Sequence, residues 1–362
     1  MNTGFKPAEI SRTNNFDLLR LYAAIEVMFF HIFPNMGVNV DFLRWPQIYL
    51  NGVMIFYFIS GFLITQSYLR SPSIIQYAKN RMLRLTPALV CVWLFTVLSI
   101  MAFGKFGSHL FVTGRFWLWS FLHCTVWPGY HTGLFPDFAN GGNNGALWTI
   151  STEISFYLLI PLVFMLFKKK STYVLILLFI LSAISNHYWH TFNPGPEVTG
   201  IKQWYWQTLG PYLWNFLVGA FFSLYWDKIK RFIEGKFLYY LAAYLLLIFV
   251  FGLCPAHTIG KFTTLIMNIL LGFVVFSAAF TCKNAAKILK GKDISYGVYV
   301  YHFVIQNIFI ELGLIGCFIY PSVVFFISII IGLLSWNFIE SKALSLKKKS
   351  LLDAIRFRSN TK

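Results

Sequence analysis

The stretch FDLLRLYAAIEVMFFHIF, residues 16–33, is an apolar helix that carries two side chains hydrocarbon should reject, Arg20 and His31. They are eleven positions apart, which at about 100° per residue brings both side chains to nearly the same face. At about 1.5 Å per residue they lie about 16 Å apart along the axis, roughly half a bilayer core. Ionisable groups inside a span are costly and usually functional. The pattern predicts a polar path through a membrane; the alternative is a snorkelling arginine and a histidine packed for structure.

The composition of the whole chain indicates the same environment. Of the 362 residues, 57% are hydrophobic, 20% are aromatic and only 12% are charged, and the mean hydropathy is +0.63. A soluble domain of this length could not bury so much apolar surface. The net charge of +17 could suggest nucleic acid, but the basic residues fall between apolar runs. We therefore predict an all-α polytopic membrane protein with no nucleic-acid partner.

Ten apolar stretches are long enough to cross a bilayer. We predict about ten transmembrane helices at residues 16–34, 48–68, 86–104, 147–167, 172–188, 206–226, 237–253, 262–281, 294–313 and 319–340. With the N-terminus inside, 24 of the 30 Lys and Arg residues fall on the inner side and one, Arg20, lies within a span. The outer side receives only Arg44, Lys105, Arg115, Lys202 and Lys261. The positive-inside rule then predicts that both termini are cytoplasmic.

The segment 105–146 is too long for a simple connector. Its first part is aromatic-rich and interrupted by Gly114 and Arg115, so we predict an interfacial or re-entrant helix and not an eleventh span. Its second part is a Gly/Pro/Asn loop that we expect to shape an outer mouth. We divide the chain into a membrane domain, residues 1–341, and a basic cytoplasmic tail, residues 342–362, whose expected partner is the anionic lipid of the inner leaflet.

Neither the cysteines nor a pair of histidines predicts a metal site or a disulfide. The five cysteines show no CxxC spacing, and most lie in or beside spans: Cys91, Cys124, Cys254, Cys282 and Cys317. His187 and His190 have no carboxylate close in the sequence, so we expect an interfacial aromatic belt there and no metal.

Basic residues accompany the start of the third predicted span, in the run YAKNRMLRLTP. Arg81 and Arg84 are three apart, so on a helix their guanidinium groups point the same way and could grip phosphates, with Lys79 nearby. The alternative is ordinary positive-inside charge in contact with lipid headgroups. In the second span, Ser60 and Gly61 fit close helix packing as well as a catalytic role.

Two further runs place polar groups inside the membrane. Glu153 lies about six residues into its span, below Trp148 and Thr149, at the same predicted depth as His31. We therefore expect Glu153 beside His31, where a carboxylate would orient the imidazole and raise its basicity; the alternative is a structural pair with an arginine. The run ISYGVYVYHFVIQ forms a stripe of Tyr296, Tyr299 and His302 that ends near mid-membrane, although aromatic stripes are commonly core packing.

Taken together, these motifs resemble the acyltransferase-3 family of integral-membrane acyltransferases, which includes bacterial O-antigen and exopolysaccharide O-acetyltransferases. The matching runs are DLLR–x10–H from Asp17 to His31, G-V-x-x-F-x-F-x-x-S-G-F-L from Gly52 to Leu63, R-x-x-R at Arg81 and Arg84, LW-T-x-S-x-E-x-x-F-Y from Leu147 to Tyr157, and SYxxYxxH from Ser295 to His302. They cover essentially the whole chain. There are two departures: Glu340 is followed by Ser341 and not by the proline often seen, and Glu26 stands where the family usually has an apolar residue.

The resemblance implies O-acyl transfer, most simply of acetyl, from cytoplasmic acetyl-CoA to a hydroxyl of an extracytoplasmic glycan such as O-antigen, lipopolysaccharide or exopolysaccharide. The location would be the bacterial inner membrane, with the acyl-CoA as co-substrate and no bound cofactor or metal. We expect the acyl group to pass directly to a lipid-linked or surface glycan, or to a separate extracytoplasmic transferase. The alternative is a transporter or flippase of a lipid-linked sugar, without covalent chemistry.

The resemblance also implies roles for individual residues. The catalytic set is His31, Glu153 and Arg20, with His31 acting either as a base or as a transiently acylated nucleophile. The donor-binding set is Arg81, Arg84, Lys79, Ser60, Tyr296, Tyr299 and His302. On the acceptor side we expect Trp148 and Thr149.

Overall fold

The computed structural model describes residues 5–11, 13–41, 45–71, 73–130, 133–139, 141, 144–192, 200–207, 210–253, 262–281 and 285–348. Every regular element within these ranges is helical. The main helices are α1 (Phe16–Asn35), α2 (Gly52–Arg70), α3 (Ile74–Ala102), α4 (Gly114–Cys124), α5 (Trp148–Phe167), α6 (Ser171–Phe192), α7 (Leu213–Leu224), α8 (Phe237–Phe249), α9 (Phe262–Phe280), α10 (Ser295–Glu311) and α11 (Ile319–Ser335). Short helices are Trp45–Tyr49, Gly200–Trp206, Trp226–Ile233 and Ser341–Ser345.

A helix occupies each of the ten stretches predicted to span. Within the described residues, five helical runs are long and apolar enough to cross a membrane, or six if Trp226–Ile233 and α8, bent by 78° from each other, form one span. The all-helical fold class is confirmed, and several spans make the chain multi-pass. Arg44, Cys254, Lys261, Cys282 and the tail from residue 349 onward, all named above, lie outside the described residues.

Three helix boundaries differ from prediction for local reasons. α2 begins at Gly52 because the side chain of Asn51 accepts a hydrogen bond from the Met54 amide at 3.1 Å. α3 begins twelve residues before the predicted span, where Ser73 caps it in the same way, so Arg81 and Arg84 lie within the helix itself. α7 has only 12 residues because it begins after Pro211, which has no amide hydrogen to donate.

The helices α5 and α6 form an antiparallel hairpin. Thr152, near the start of α5, donates a hydrogen bond to the Gln207 carbonyl at 3.1 Å. Ser182, in the later half of α6, donates to the Gly210 carbonyl at 2.8 Å. The start of α5 and the later half of α6 thus contact the same short segment, 207–210, so the chain must reverse direction between the two helices. The reversal occurs at the turn Lys168–Lys170, where Lys168 has a φ of 46°.

The bundle is held by close helix crossings. The Gly61 backbone lies against the Phe216 carbonyl and the Gly219 backbone against the Phe58 carbonyl, so a Cβ atom at either glycine would overlap the facing backbone. This contact between α2 and α7 confirms a packing role for Gly61. α1 packs against α2, α10 and α11, which brings the helix bearing Arg20 and His31 into the centre of the bundle.

The segment after α3 forms no eleventh span among its described residues. α4 has 11 residues, about 16 Å of helix, which is too short to cross a bilayer. The following loop is tied to the end of α10, where the Ala139 amide donates to Glu311 Oε1 at 2.5 Å. Cys91, Cys124 and Cys317, the cysteines within the described ranges, are not in disulfides.

Candidate active site

A cavity of about 590 Å³ lies between α1, α2, α3, α5 and the start of α10, and we call it the basic cavity. Among the described residues its lining carries five basic side chains: Arg20, Arg70, Arg81, Arg84 and Lys347. Asp17, Glu153 and Asp293 also line it, so positive charge is in excess. Such a cavity suits an anionic ligand.

Asp293 joins two of these arginines. Its Oδ2 atom lies 2.8 Å from Arg20 Nη1 and 2.6 Å from Arg84 Nη2, and its Oδ1 accepts from Ser295 Oγ at 2.5 Å. Burial alone would raise the pKa of Asp293, but the guanidinium groups of Arg84 and Arg20 outweigh burial and lower this pKa to about 2. The sequence interpretation missed this residue. The sequence signal for Asp293 was a lone carboxylate in a basic loop, two residues before the start of the SYxxYxxH run at Ser295.

Arg84 has further partners at the far end of the chain. Its Nη1 lies 3.8 Å from Glu340 Oε2, and its guanidinium lies over the ring of Tyr296, 5.6 Å from the ring centre. Glu340 also accepts from Ser335 Oγ at 2.9 Å and closes a π-helical turn, Trp336–Glu340. Glu340 thus helps to place Arg84, although the proline expected after it is Ser341.

Arg81 is held differently. Its Nη2 donates to Ser67 Oγ at 3.1 Å, and its guanidinium lies over the rings of Tyr157 and Tyr77 at 5.4 and 6.0 Å. Its Nε is buried and has no hydrogen-bond partner among the described residues. No carboxylate in the described part of the chain lies within ion-pair distance of Arg81. Arg81, like Arg70, whose Nη2 donates to the Ala8 carbonyl at 2.8 Å, can therefore accept an anion without first releasing a carboxylate.

The start of the predicted tail also contributes to the basic cavity. Lys347 lines it, and the Lys347 carbonyl accepts from Gln76 Nε2 of α3 at 3.4 Å. Burial, together with the charges of Arg81, Arg84 and Arg20, lowers the pKa of Lys347 to about 8. Lys79, which we expected to bind the donor, is not among the described residues that line this cavity.

Glu153 does not contact His31, contrary to our expectation. Its Oε1 atom accepts from Ser60 Oγ at 2.9 Å and from Tyr157 OH at 3.0 Å, and it lines the basic cavity. Residue spacing predicts the depth of Glu153 along α5 but not the direction in which its face of α5 points. Ser60, Tyr296 and Tyr299 line the same cavity, as expected of residues near a donor.

The partner of His31 is His302. His31 Nδ1 lies 3.2 Å from His302 Nε2, the ring centres are 5.4 Å apart, and the rings are within 13° of parallel. His302 is fully buried and is not among the described residues that line the basic cavity, so its expected role in donor binding stays a prediction. Its other nitrogen, Nδ1, lies 3.2 Å from the Val298 carbonyl.

The hydrogen-bond partners indicate which ring nitrogens carry hydrogen. A carbonyl only accepts, so His302 donates through Nδ1 to Val298. Neutral His302 is then unprotonated at Nε2, and His31 must donate to it through Nδ1. Neutral His31 is therefore unprotonated at Nε2, the form required of a general base or a nucleophile.

His31 lines a second cavity of about 450 Å³, which we call the amide cavity. Its polar lining includes Gln47, Asn51, Asn186, Asn215, Asn268, Glu26 and His190. Trp148, expected on the acceptor side, lines it and stacks on Trp206 at 4.6 Å. None of the described residues lining this cavity is a lysine or an arginine. The amide cavity thus differs from the basic cavity in having mainly uncharged polar groups in its described lining.

Tyr299 lines both cavities and is part of the boundary between them. Its hydroxyl donates to the Ala146 carbonyl at 3.0 Å and lies 2.6 Å from Thr149 Oγ1. Thr149, expected on the acceptor side, lines the basic cavity. A ligand reaching from the basic cavity toward His31 would therefore pass Tyr299.

The family described as an acyltransferase domain, acyltransferase type 3, matches residues 13–339. The chain belongs to the acyltransferase-3 family. It is 30% identical to nodulation protein 10 of Rhizobium leguminosarum bv. viciae over 92% of this chain and 94% of that protein. It is 27% identical to the O-acetyl transferase of Shigella phage Sf6 over 92% of this chain and 97% of that protein. No solved structure is a significant match to the chain.

In this acyltransferase the matched region includes both cavities except for Ile10, Leu344 and Lys347. The R-x-x-R run and Arg20 meet in the basic cavity, and the first and last motifs meet at His31 and His302. No group of three or more His, Cys, Asp or Glu side chains within the described ranges could hold a metal ion. The site therefore combines a cavity with an excess of positive charge and a hydrogen-bonded pair of histidines in a multi-pass membrane enzyme.

Proposed function

We propose that this acyltransferase moves an acyl group, in the simplest case acetyl, from a cytoplasmic acyl-CoA to a hydroxyl of a glycan outside the bacterial inner membrane. The observation that carries the proposal is the pair of adjoining cavities. The basic cavity suits the phosphates of coenzyme A, and the amide cavity, without lysine or arginine among its described lining, suits an uncharged polyol. His31 lies on the wall of the second. The relative named O-acetyl transferase supports transfer of acetyl to oxygen.

The proposed orientation has ten spans and both termini in the cytoplasm. A helix in each of ten predicted positions supports this arrangement, as does the basic turn Lys168–Lys170 between antiparallel α5 and α6. The basic cavity is lined by residues of the inner loops, including Ser71, Gly291 and Lys347. Coenzyme A would therefore enter from the cytoplasm and remain there, because its phosphates cannot cross hydrocarbon.

Donor binding would begin at Arg81, whose guanidinium has no carboxylate partner among the described residues. Arg20 and Arg84 would then exchange part of their contact with Asp293 for phosphate oxygens. The pantetheine arm would extend past Ser60 and Tyr299 toward His31.

The chemical step would use the unprotonated Nε2 of His31. It takes the proton of a sugar hydroxyl as that oxygen attacks the thioester carbonyl, the C–S bond breaks, and the departing thiolate receives the proton from His31. His302 holds His31 in the required tautomer. In the alternative sequence, His31 is acylated first and passes the acyl group to the glycan or to a separate extracytoplasmic transferase. The family favours either route over a flippase without covalent chemistry.

The proposal is tested by incubating membranes that contain the protein with radiolabelled acetyl-CoA and following the label. We expect label in surface or lipid-linked polysaccharide, removable by mild base as an ester is. Membranes without the protein are the control. Binding of acetyl-CoA without any label in glycan would contradict the proposed acceptor, and absence of acetyl-CoA binding would contradict the proposed donor.

A further inference from the structure

Three residues that line the amide cavity each carry a buried polar atom with no hydrogen-bond partner in the described part of the chain. The atoms are Glu26 Oε1, the indole Nε1 of Trp214 and Asn215 Oδ1. The residues are 5%, 2% and 1% exposed, respectively. A buried polar group without a partner is costly, so such groups in one cavity point to a ligand or water that satisfies them.

Glu26 is held with one oxygen already used. Its Oε2 accepts from the Gly52 amide at 2.8 Å, which leaves Oε1 for a ligand. Gly52 is required for this contact, because a Cβ atom there would overlap both Glu26 Oε2 and the Ala23 carbonyl. The carboxylate is thus fixed in place before any ligand arrives.

The unpaired atoms indicate the class of ligand. The carboxylate and amide oxygens only accept hydrogen bonds, whereas the indole N–H only donates. A hydroxyl group does both, so several hydroxyls on one ring could satisfy all three. The described lining of this cavity has no lysine or arginine to pair with a phosphate. The volume of about 450 Å³ lies within the range of small-molecule sites, and Trp148 and Tyr212 add aromatic walls.

We propose that Glu26, Trp214 and Asn215 bind the hydroxyl groups of one sugar ring of the acceptor in the amide cavity and thereby set which hydroxyl reaches His31. This inference rests on the proposed function, in which the acceptor is a glycan. It adds the place where the sugar binds and the side chains that select it. The selecting groups come from α1 and α7, and His31 comes from α1 as well.

The experiment measures sugar binding separately from catalysis. The full chain in lipid nanodiscs is studied by saturation-transfer NMR against methyl pyranosides of the gluco, galacto, manno, rhamno and N-acetylglucosamine series, without donor. We expect at least one pyranoside to bind the wild type. The variants Glu26→Gln and Trp214→Phe should each weaken that binding about fivefold or more, and the double variant about 25-fold or more. Binding of acetyl-CoA to the same preparations should be unchanged, which also shows that they are folded.

The matched control is Asp227→Asn, an exposed carboxylate paired with Lys230 outside both cavities, and it should bind pyranosides as the wild type does. Equal pyranoside binding by the wild type and the double variant would overturn the inference. So would transfer of label to glycan with unchanged acceptor KM in the double variant, and in that case the proposed function would stand. A wild type that binds acetyl-CoA but neither binds a pyranoside nor labels glycan would overturn the proposed acceptor itself.

Discussion

His31 Nδ1 lies 3.2 Å from His302 Nε2, so two histidines from opposite ends of the chain form one hydrogen-bonded unit. The unit ends at the Val298 carbonyl, and this fixes the direction of every hydrogen bond in it. As a consequence, Nε2 of neutral His31 carries no hydrogen. His302 is then a positioning residue, and His31 is the residue proposed to touch the reacting atoms.

Replacing His302 tests this arrangement. His302→Phe preserves a ring but removes the acceptor of the His31 Nδ1 hydrogen, so the reactive tautomer is no longer favoured. We expect kcat to fall about 10–100-fold, by analogy with the loss of other groups that orient a histidine, while the KM for acyl-CoA is unchanged. Steady-state kinetics over a range of pH, with Phe303→Leu as a packing control beside both rings, separates the effects. An unchanged kcat and pH profile in His302→Phe would remove His302 from the mechanism.

Asp293→Asn should lower stability but leave the basic cavity more receptive to an anion. Breaking a buried pair by removing one partner costs about 3–5 kcal/mol, because Arg84 and Arg20 lose their shared carboxylate. Bound coenzyme A then supplies the missing negative charge, so its stabilising effect should be larger in the variant than in the wild type. Thermal unfolding with and without coenzyme A measures both quantities. A smaller shift in the variant would mean that Asp293 assists donor binding instead.

The pH dependence of this contribution follows from the lowered pKa of Asp293, about 2 against an ordinary 3.8. A carboxyl group whose folded pKa is depressed stabilises the protein fully above its unfolded pKa and loses that contribution as pH falls through its folded pKa. The difference in stability between wild type and Asp293→Asn should therefore be constant between about pH 5 and 8.

We expect Lys347 to make donor binding depend on pH. Its pKa is lowered to about 8 by burial and by the neighbouring Arg81, Arg84 and Arg20, so it loses its charge as pH rises through that value. Donor affinity should weaken about fivefold between pH 7 and 9.5, the effect of losing one partly buried ion pair. Lys347→Arg should remove this dependence, because arginine stays charged. The prediction is tested by measuring coenzyme A binding across this pH range for the wild type and Lys347→Arg, with Lys342→Arg, at an exposed position, as the control.

Arg81 and Arg84 should differ although they belong to one R-x-x-R run. Arg81→Ala removes a guanidinium that has no carboxylate partner in the described chain, so it should weaken coenzyme A binding about tenfold or more without a large loss of stability. Arg84→Ala also leaves Asp293 and Glu340 with less positive charge, so it should lower both affinity and stability. Arg81→Lys should recover only part of the affinity, since an ammonium group lacks the planar fork. If the wild type and Arg81→Ala bound coenzyme A with equal affinity, Arg81 would not bind the donor and would serve only as a positive charge that sets membrane topology.

The helices could be predicted from the sequence because each is a run of apolar residues of sufficient length. The spacing of Arg81 and Arg84 likewise predicted that they point the same way, and both line the basic cavity together with Arg20. The predicted span 206–226 was longer than the observed α7, because Pro211 within it was not taken as a helix boundary. Local sequence rules were therefore sufficient wherever the signal was local.

The partners of the buried groups could not be predicted in the same way. Depth along a helix follows from residue spacing, but the direction of a helix face depends on how the bundle packs. Glu153 therefore lies with Ser60 and Tyr157, and His31 with His302, although the depths suggested another pairing. Asp293 and Lys347 reach the basic cavity from segments read only as loop and tail.

The catalytic role proposed for His31 is tested by comparing donor binding with acyl transfer in His31→Ala. The purified wild type and variant, each in nanodiscs, are assayed for acetyl-CoA binding and for transfer of labelled acetyl to glycan. We expect the variant to bind acetyl-CoA as the wild type does, because His31 lies outside the basic cavity, while transfer falls about 10²–10⁴-fold or more. Substantial glycan acylation by His31→Ala would contradict the central claim that His31 carries the chemistry.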